Sequence, residues 1–417
     1  MAKRISKMPH IENDFSVTTL SNGLRLVSRR RQGLVSYIGV VVNAGSRDED
    51  PRHEGLAHFV EHTIFKGTDK RRAWQISSRM ETVGGELNAY TSKEETMVYT
   101  NAPAGNEDRA LELLADLITS SRFPSSEIDK EREVIVEEIY SYLDSPSERV
   151  YDEYEELAYK GSGLSHNILG TPESVHEIES SDCRNFLDKF YVPSNMVIYC
   201  VTPLSDNEIL KKAEKYFSGL ADIPADHNRV TPPPMTHFDV HRDNGTHQAN
   251  SIMGVRTFSR NDDRRFPLFL LNNYLAGPCM NSLLNRELRE KRGYVYAVDS
   301  NVSLLSDTGL LTIYFGCDPK NVARCRKLIE KEVNRLCSHT LSASSFEKIK
   351  RQYCGQLLSS TDNIENRAMS LGKSMLYYNR VHDIRTTIER VMQVKAEDMR
   401  SVAESIFSQG LSTLTLT

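Results

Sequence analysis

The sequence predicts an α+β chain made of two related domains, and three observations carry that expectation. At 417 residues, with 39% hydrophobic and 26% charged side chains, the chain can bury a large core but exceeds the size that one core usually serves. Between Gly219 and Phe238, Pro224 and the run Pro232-Pro233-Pro234 interrupt helical and strand patterns alike, because proline fixes φ and has no N–H to donate. The halves on either side then repeat one another. The stretches 39–47 and 252–260 both end in Ser-Arg before acidic residues, and the Tyr-containing apolar runs Met97-Val98-Tyr99 and Leu311-Thr312-Ile313-Tyr314 each lead into a Leu-rich helical segment. The expected division is a first domain over 1–220, a linker over 221–236 and a second domain over 237–417.

The first chemically informative element is His58-Phe59-Val60-Glu61-His62. A helix turns about 100° per residue, so residues four apart share a face and the residue three along lies beside them. Two imidazoles with a carboxylate between them can therefore meet one metal ion, and the pattern points to metal-assisted hydrolysis. A string of this kind arises by chance in about one such chain in forty, so it does not stand alone. The neighbouring set of His53, Glu54 and His58 is off register, since residues five apart diverge by about 140°. His10, His166, His176, His227, His237, His241, His247, His339 and His382 are scattered without ligand spacing.

Next along the chain, Leu87–Ser92 follows the Gly84-Gly85 turn and reads as a short strand with small or polar alternate residues. From Pro124 to Pro146 the pattern is helical: Ser126-Glu127-Ile128-Asp129 resembles a capping box, and Ile128, Ile135, Ile139 and Tyr142 form an apolar stripe. A catalytic zinc takes three protein ligands and leaves one position for water. This helix offers Glu127, Glu131, Glu133, Glu137 and Glu138 as the third, and the pattern alone does not choose among them. In the second half, setting Ser259 against Ser46 and Ser345 against Ser126 puts Leu271, Leu275 and Leu357 where His58, His62 and Glu138 stand, so that copy is expected to lack a metal site. Arg289 and Tyr296 flank Gly293, which favours a turn from helix to strand between them.

Composition narrows the function classes. A net charge of −5 makes no electrostatic case for nucleic acid or an anionic membrane. No apolar run approaches the length of a membrane span, and the opening Met1-Ala2-Lys3-Arg4 has no apolar core behind it for a secretory signal. Seven cysteines, an odd number without a Cys-x-x-Cys pair, read as isolated thiols in a reducing compartment. The expected location is the cytoplasm.

Five segments in order resemble one family: Asn43-Ala44-Gly45-Ser46-Arg47-Asp48-Glu49; Gly55–His62 running on to Phe65-Lys66-Gly67-Thr68; Gly84–Thr91; Glu131–Glu138; and Leu288–Tyr296. Together they look like the inverted-zincin peptidases of the pitrilysin and insulinase family, which includes the mitochondrial processing peptidases, and the resemblance covers nearly the whole chain. It implies two homologous domains, each a largely antiparallel sheet with helices on one face, only the first carrying metal. It implies one Zn2+ per chain held by His58, His62 and Glu138, with Glu61 as general base. Glu131, two turns before Glu138, becomes the partner of a ligating imidazole. By the same resemblance Tyr296 donates to the developing oxyanion, Arg289 binds substrate carbonyls, and the strand around Asn88, Ala89 and Tyr90 pairs with an extended peptide substrate. The family closes a chamber from four such domains, so a two-domain chain is expected to pair with itself or with a related subunit. The family usually has a run of glycines where this chain has Gly277-Pro278-Cys279-Met280. The expected activity is zinc-dependent endopeptidase; the alternatives are a processing peptidase needing a non-catalytic partner and a structural subunit of the same fold.

Overall fold

The computed structural model describes residues 15–417; His10 and the basic opening Met1–Arg4 lie outside the described residues. Two compact units divide the chain.

In the first unit, strands β1 (Phe15–Thr19), β2 (Arg25–Arg30), β3 (Val35–Val42), β4 (Glu86–Thr91), β5 (Thr96–Pro103) and β6 (Met196–Thr202) form one sheet in the order β1-β2-β6-β3-β5-β4. Every pair is antiparallel except β2 with β6. The apolar runs fix the register, with Val40 opposite both Val98 and Ile198 and all three fully buried. Helix Glu107–Ser120 lies on that face, where Glu107 accepts from the hydroxyls of Ser36 (2.7 Å) and Thr202 (2.9 Å). Side chains one residue out of phase point the other way: Val41, Met97, Val197 and Tyr199 are covered by Ala368 and Met375 of helix Ile364–Tyr378.

The second unit repeats this plan with one strand fewer. Strands β7 (Asp239–Arg242), β8 (Ala249–Thr257), β9 (Val295–Leu304), β10 (Gly309–Cys317) and β11 (Ser412–Leu416) are ordered β7-β11-β8-β10-β9, and only β7 with β11 is parallel. Helices Val322–Ser338 and Ala396–Phe407 pack against β8. Ile252, Leu414 and Leu416 pack instead with Val150 and Tyr154 of helix Pro146–Ala158.

The units therefore depart from a linear division in two segments: 136–167 belongs with the second and 361–387 with the first. The helices concerned occupy the same place in the repeat. Pro146–Ala158 follows the long helix Ser125–Leu143, and Ile364–Tyr378 follows its counterpart Ala343–Ser360. Each covers a sheet built by the other half of the sequence, on the face opposite that sheet's own helices. Glycine permits both approaches: a Cβ on Gly254 would stand 2.8 Å from the Tyr154 hydroxyl, and one on Gly372 would stand 2.7 Å from the Tyr199 ring and from Val41. Residues 221–238 carry no helix or strand, as consecutive prolines dictate. All seven cysteines are free thiols.

Candidate metal centre

The loop after β3 sets the first helix. Arg47 and Glu94, both buried, pair at 2.5 Å, and Asp48 accepts from the Gly45 N–H at 3.1 Å. Glu49 then accepts from the backbone N–H groups of Gly55 (2.9 Å) and Ala57 (2.7 Å). A carboxylate on these otherwise unbonded donors caps helix Leu56–Thr63 where its dipole is positive. Leu56, Ala57, Phe59 and Val60 are buried, and the helix packs on β4 and on helix Ser180–Phe190. The remaining face carries His58, Glu61 and His62.

The two imidazole rings lie 4.6 Å apart. Burial first, and the neighbouring His62 second, hold His58 down to about 3, so its imidazole is a neutral lone-pair donor at physiological pH. His62 Nδ1 lies 3.2 Å from Glu131 Oε2, and the other Glu131 oxygen is 2.6 Å from Lys66 Nζ. A carboxylate at Nδ1 makes that nitrogen the donor and leaves Nε2 as the ligand atom.

Glu131 and Glu138 stand two turns apart on the unbroken helix Ser125–Leu143, on one face. Of the five candidate carboxylates, Glu138 is the one whose oxygen joins ligand atoms of His58 and His62, all within 4.8 Å of one another; this is the only such group among the described residues. Glu127 pairs with Lys130 at 2.6 Å, while Glu133 and Glu137 are exposed. Ile128, Ile135 and Ile139 are buried, but Tyr142 is 39% exposed. It lies at the edge of the stripe nearest Glu138, about 40° from it around the axis. Burial and then the Glu138 charge raise the Tyr142 phenol.

Two imidazole nitrogens and one carboxylate, with one imidazole buried and neutral and the other oriented by an acid, suit zinc. Glu61 shares the helix face and is half-buried. Burial above all raises the Tyr99 and Tyr191 phenols, and the Glu61 charge contributes to both.

Strand β4 is the outer edge of its sheet and pairs only with β5. Asn88 is exposed, and Ala89 and Tyr90 are half-buried. Tyr90 donates to Glu95 Oε1 (2.9 Å), which also meets Lys373 at 2.6 Å, and Lys373 sits 4.9 Å from the Tyr90 ring centroid. The Tyr90 side chain is thus held by the fold, and what the edge offers a ligand is main chain.

In the second unit Leu271 and Leu275 are fully buried, filling with hydrocarbon the positions aligned with the two imidazoles. Arg289 is exposed on the helical turn Asn285–Glu290 and makes no ion pair among the described residues; Gly293 (φ 63°) reverses the chain into β9. Tyr296 is 45% exposed. Its hydroxyl reaches Asn250 Oδ1 at 3.4 Å, an acceptor already taken by Tyr314 at 2.7 Å. The helix before Gly277-Pro278 stops at Ala276. The residue pattern did not single out Glu49 as helix cap, the buried Arg47–Glu94 pair, or Glu95 with Lys373; the only sign of the first two was the motif Asn43–Glu49.

Residues 25–172 match the family profile described as insulinase, peptidase family M16, and residues 177–353 match that of the peptidase M16 inactive domain. An uncharacterized zinc protease of Streptomyces coelicolor is 31% identical over 94% of this chain and 87% of its own length. A second, from Bacillus subtilis, is 30% identical over 94% and 95%. Among solved structures, a protease from Helicobacter pylori superposes with a TM-score of 0.88 at 23% identity, covering 97% of this chain and 99% of that one. A structure described as a peptidase M16 inactive domain from Pseudomonas fluorescens reaches 0.90 at 17%, covering 96% and 97%. At those identities the likeness concerns the fold. No helix of the described residues is long and apolar enough to cross a membrane.

Proposed function

The chain belongs to the insulinase family, peptidase family M16, and from that premise we propose that it is a zinc-dependent endopeptidase acting on peptides or unfolded segments. The observation that carries this reading is the convergence of His58, His62 and Glu138 within 4.8 Å, with Glu61 on the same helix. His58, His62 and Glu138 would hold one zinc ion, and Glu131 would keep His62 in the ligating tautomer. When bound, zinc supplies Lewis acidity that makes an attacking water acidic near neutral pH. Glu61 takes that water's proton and returns it to the leaving amide nitrogen. The free edge of β4 at Asn88, Ala89 and Tyr90 holds the substrate by main-chain hydrogen bonds, which gives affinity with little demand on sequence. Tyr296 and Arg289 serve the substrate carbonyl oxygens; the Tyr296 bond to Asn250 is long and shared with Tyr314.

A dimer, of two copies or with a related subunit, would supply the four domains of a closed chamber, and a cytoplasmic location suits seven free thiols. Purified protein is incubated with an unstructured peptide and with a stably folded protein containing the same sequence, with and without chelator, while light scattering gives the mass. The expected result is chelator-sensitive cutting of the peptide alone by a dimer. A zinc-replete protein that cuts neither would move the chain to a structural role, and cutting only after a related subunit is added would make it half of a processing peptidase.

A further inference from the structure

The second unit contains a cavity of about 260 Å³ lined by Asn273, Tyr274, Asn281, Ser282, Arg286, Ser345, Lys348, Ile349 and Gln352. Its walls are helix Arg265–Ala276, the turn Asn285–Glu290 and helix Ala343–Ser360, so two of them are the sequence counterparts of helices Leu56–Thr63 and Ser125–Leu143. The alignment that places Leu271 on His58 and Leu357 on Glu138 also places Tyr274 on Glu61, Lys348 on Asp129 and Gln352 on Glu133. Three acids have become a phenol, an ammonium and an amide. Asp129 and Glu133 lie on the side of their helix away from Glu138, so this cavity is not the counterpart of the metal cleft, and its own lining decides what it binds.

The local bonding favours an anion. Lys348 is exposed and makes no ion pair among the described residues. Arg286 has one acid, Glu287, at 3.4 Å, and that carboxylate is engaged more closely by Lys291 (2.6 Å) and Arg292 (3.0 Å). Lys291 above all holds Glu287 down to about 2, so it stays charged but is already surrounded by cations. The other acid whose field reaches Tyr274, Glu332, is paired with Arg335 at 3.3 Å. Asn281 and Gln352 bond each other through both amides, at 3.0 and 3.3 Å, which fixes one rim. Two cations, hydroxyls of Ser282 and Ser345, and a phenol around a space of this size match the donor set that recognises a small oxyanion.

We propose that this cavity is a binding site for a phosphate- or carboxylate-bearing small molecule, with Arg286 and Lys348 as its charge anchors. Anion binding at this cavity does not depend on peptidase activity.

The test uses the full-length protein, titrated calorimetrically with inorganic phosphate and, separately, with succinate, each against chloride of equal ionic strength. Saturable binding of at least one anion is expected, and the one that binds more tightly identifies the headgroup. The R286Q/K348Q double variant should weaken it at least about tenfold, while K211Q, which removes an exposed cation of the first unit, should leave it unchanged. Should the double variant fold poorly, K348Q alone carries the test, since its side chain is exposed and unpaired. Absence of saturable binding by both anions at about 10 mM, or equal loss in K211Q, overturns the proposal.

Discussion

At the scale of single residues, the centre separates side chains that hold an ion from those that move a proton. Glu61→Gln keeps size and polarity but cannot take a proton, so peptide hydrolysis should fall by at least about two orders of magnitude with zinc retained; near-normal turnover would remove Glu61 from the role of base. Glu138→Gln should lower zinc occupancy after dialysis against a weak chelator, whereas Glu137→Gln should not, because adjacent helical side chains diverge by about 100°. Glu131→Gln should weaken zinc about 10- to 100-fold through loss of the carboxylate at His62, read by competition with a chromogenic chelator. How much of this the sequence shows depends on the distance over which each relation acts. The His58–His62 relation is set by helix pitch alone and is legible from spacing. The choice of Glu138 among five glutamates is not, because convergence of two helices is a tertiary fact; only the family resemblance singled it out. Tyr90 illustrates the other limit, since its anchors Glu95 and Lys373 lie five residues away and in the opposite half of the chain.

At the scale of elements, strand and helix positions follow from local pattern, but the surface a helix will cover does not. The periodicity of 146–158 and 364–378 shows which side of each helix is apolar; nothing in it says which sheet that side meets. Glycine substitution offers a sign test. Alanine normally stabilises a helix interior over glycine by up to about 1 kcal/mol. That should hold for Gly355→Ala in helix Ala343–Ser360, where an added Cβ meets nothing within 4 Å. Gly372→Ala should instead destabilise by about 1–3 kcal/mol, because the methyl group would press on Tyr199 and Val41 at 2.7 Å in a filled core. Denaturant unfolding of the two variants should move the midpoints in opposite directions; parallel shifts would mean that Tyr199 yields more easily than its burial implies.

At the scale of the whole molecule, the exchange of helices makes each unit depend on sequence from both halves. A fragment ending at Asn228 holds all six strands of the first sheet but lacks helix Ile364–Tyr378, leaving Val41, Met97, Val197 and Tyr199 uncovered on one face. Such a fragment should be poorly soluble, and supplying residues 229–417 as a separate chain should recover it; a fragment that is soluble and cooperatively folded alone would refute this. Protein synthesis adds a time axis. At about 5–20 residues per second, roughly 9–35 seconds separate the emergence of β6 from that of the helix that seals it, long enough for a nascent apolar sheet to find other partners. The ribosome-bound chain is therefore where this architecture is most exposed to misassembly, and where a holdase would do the most good.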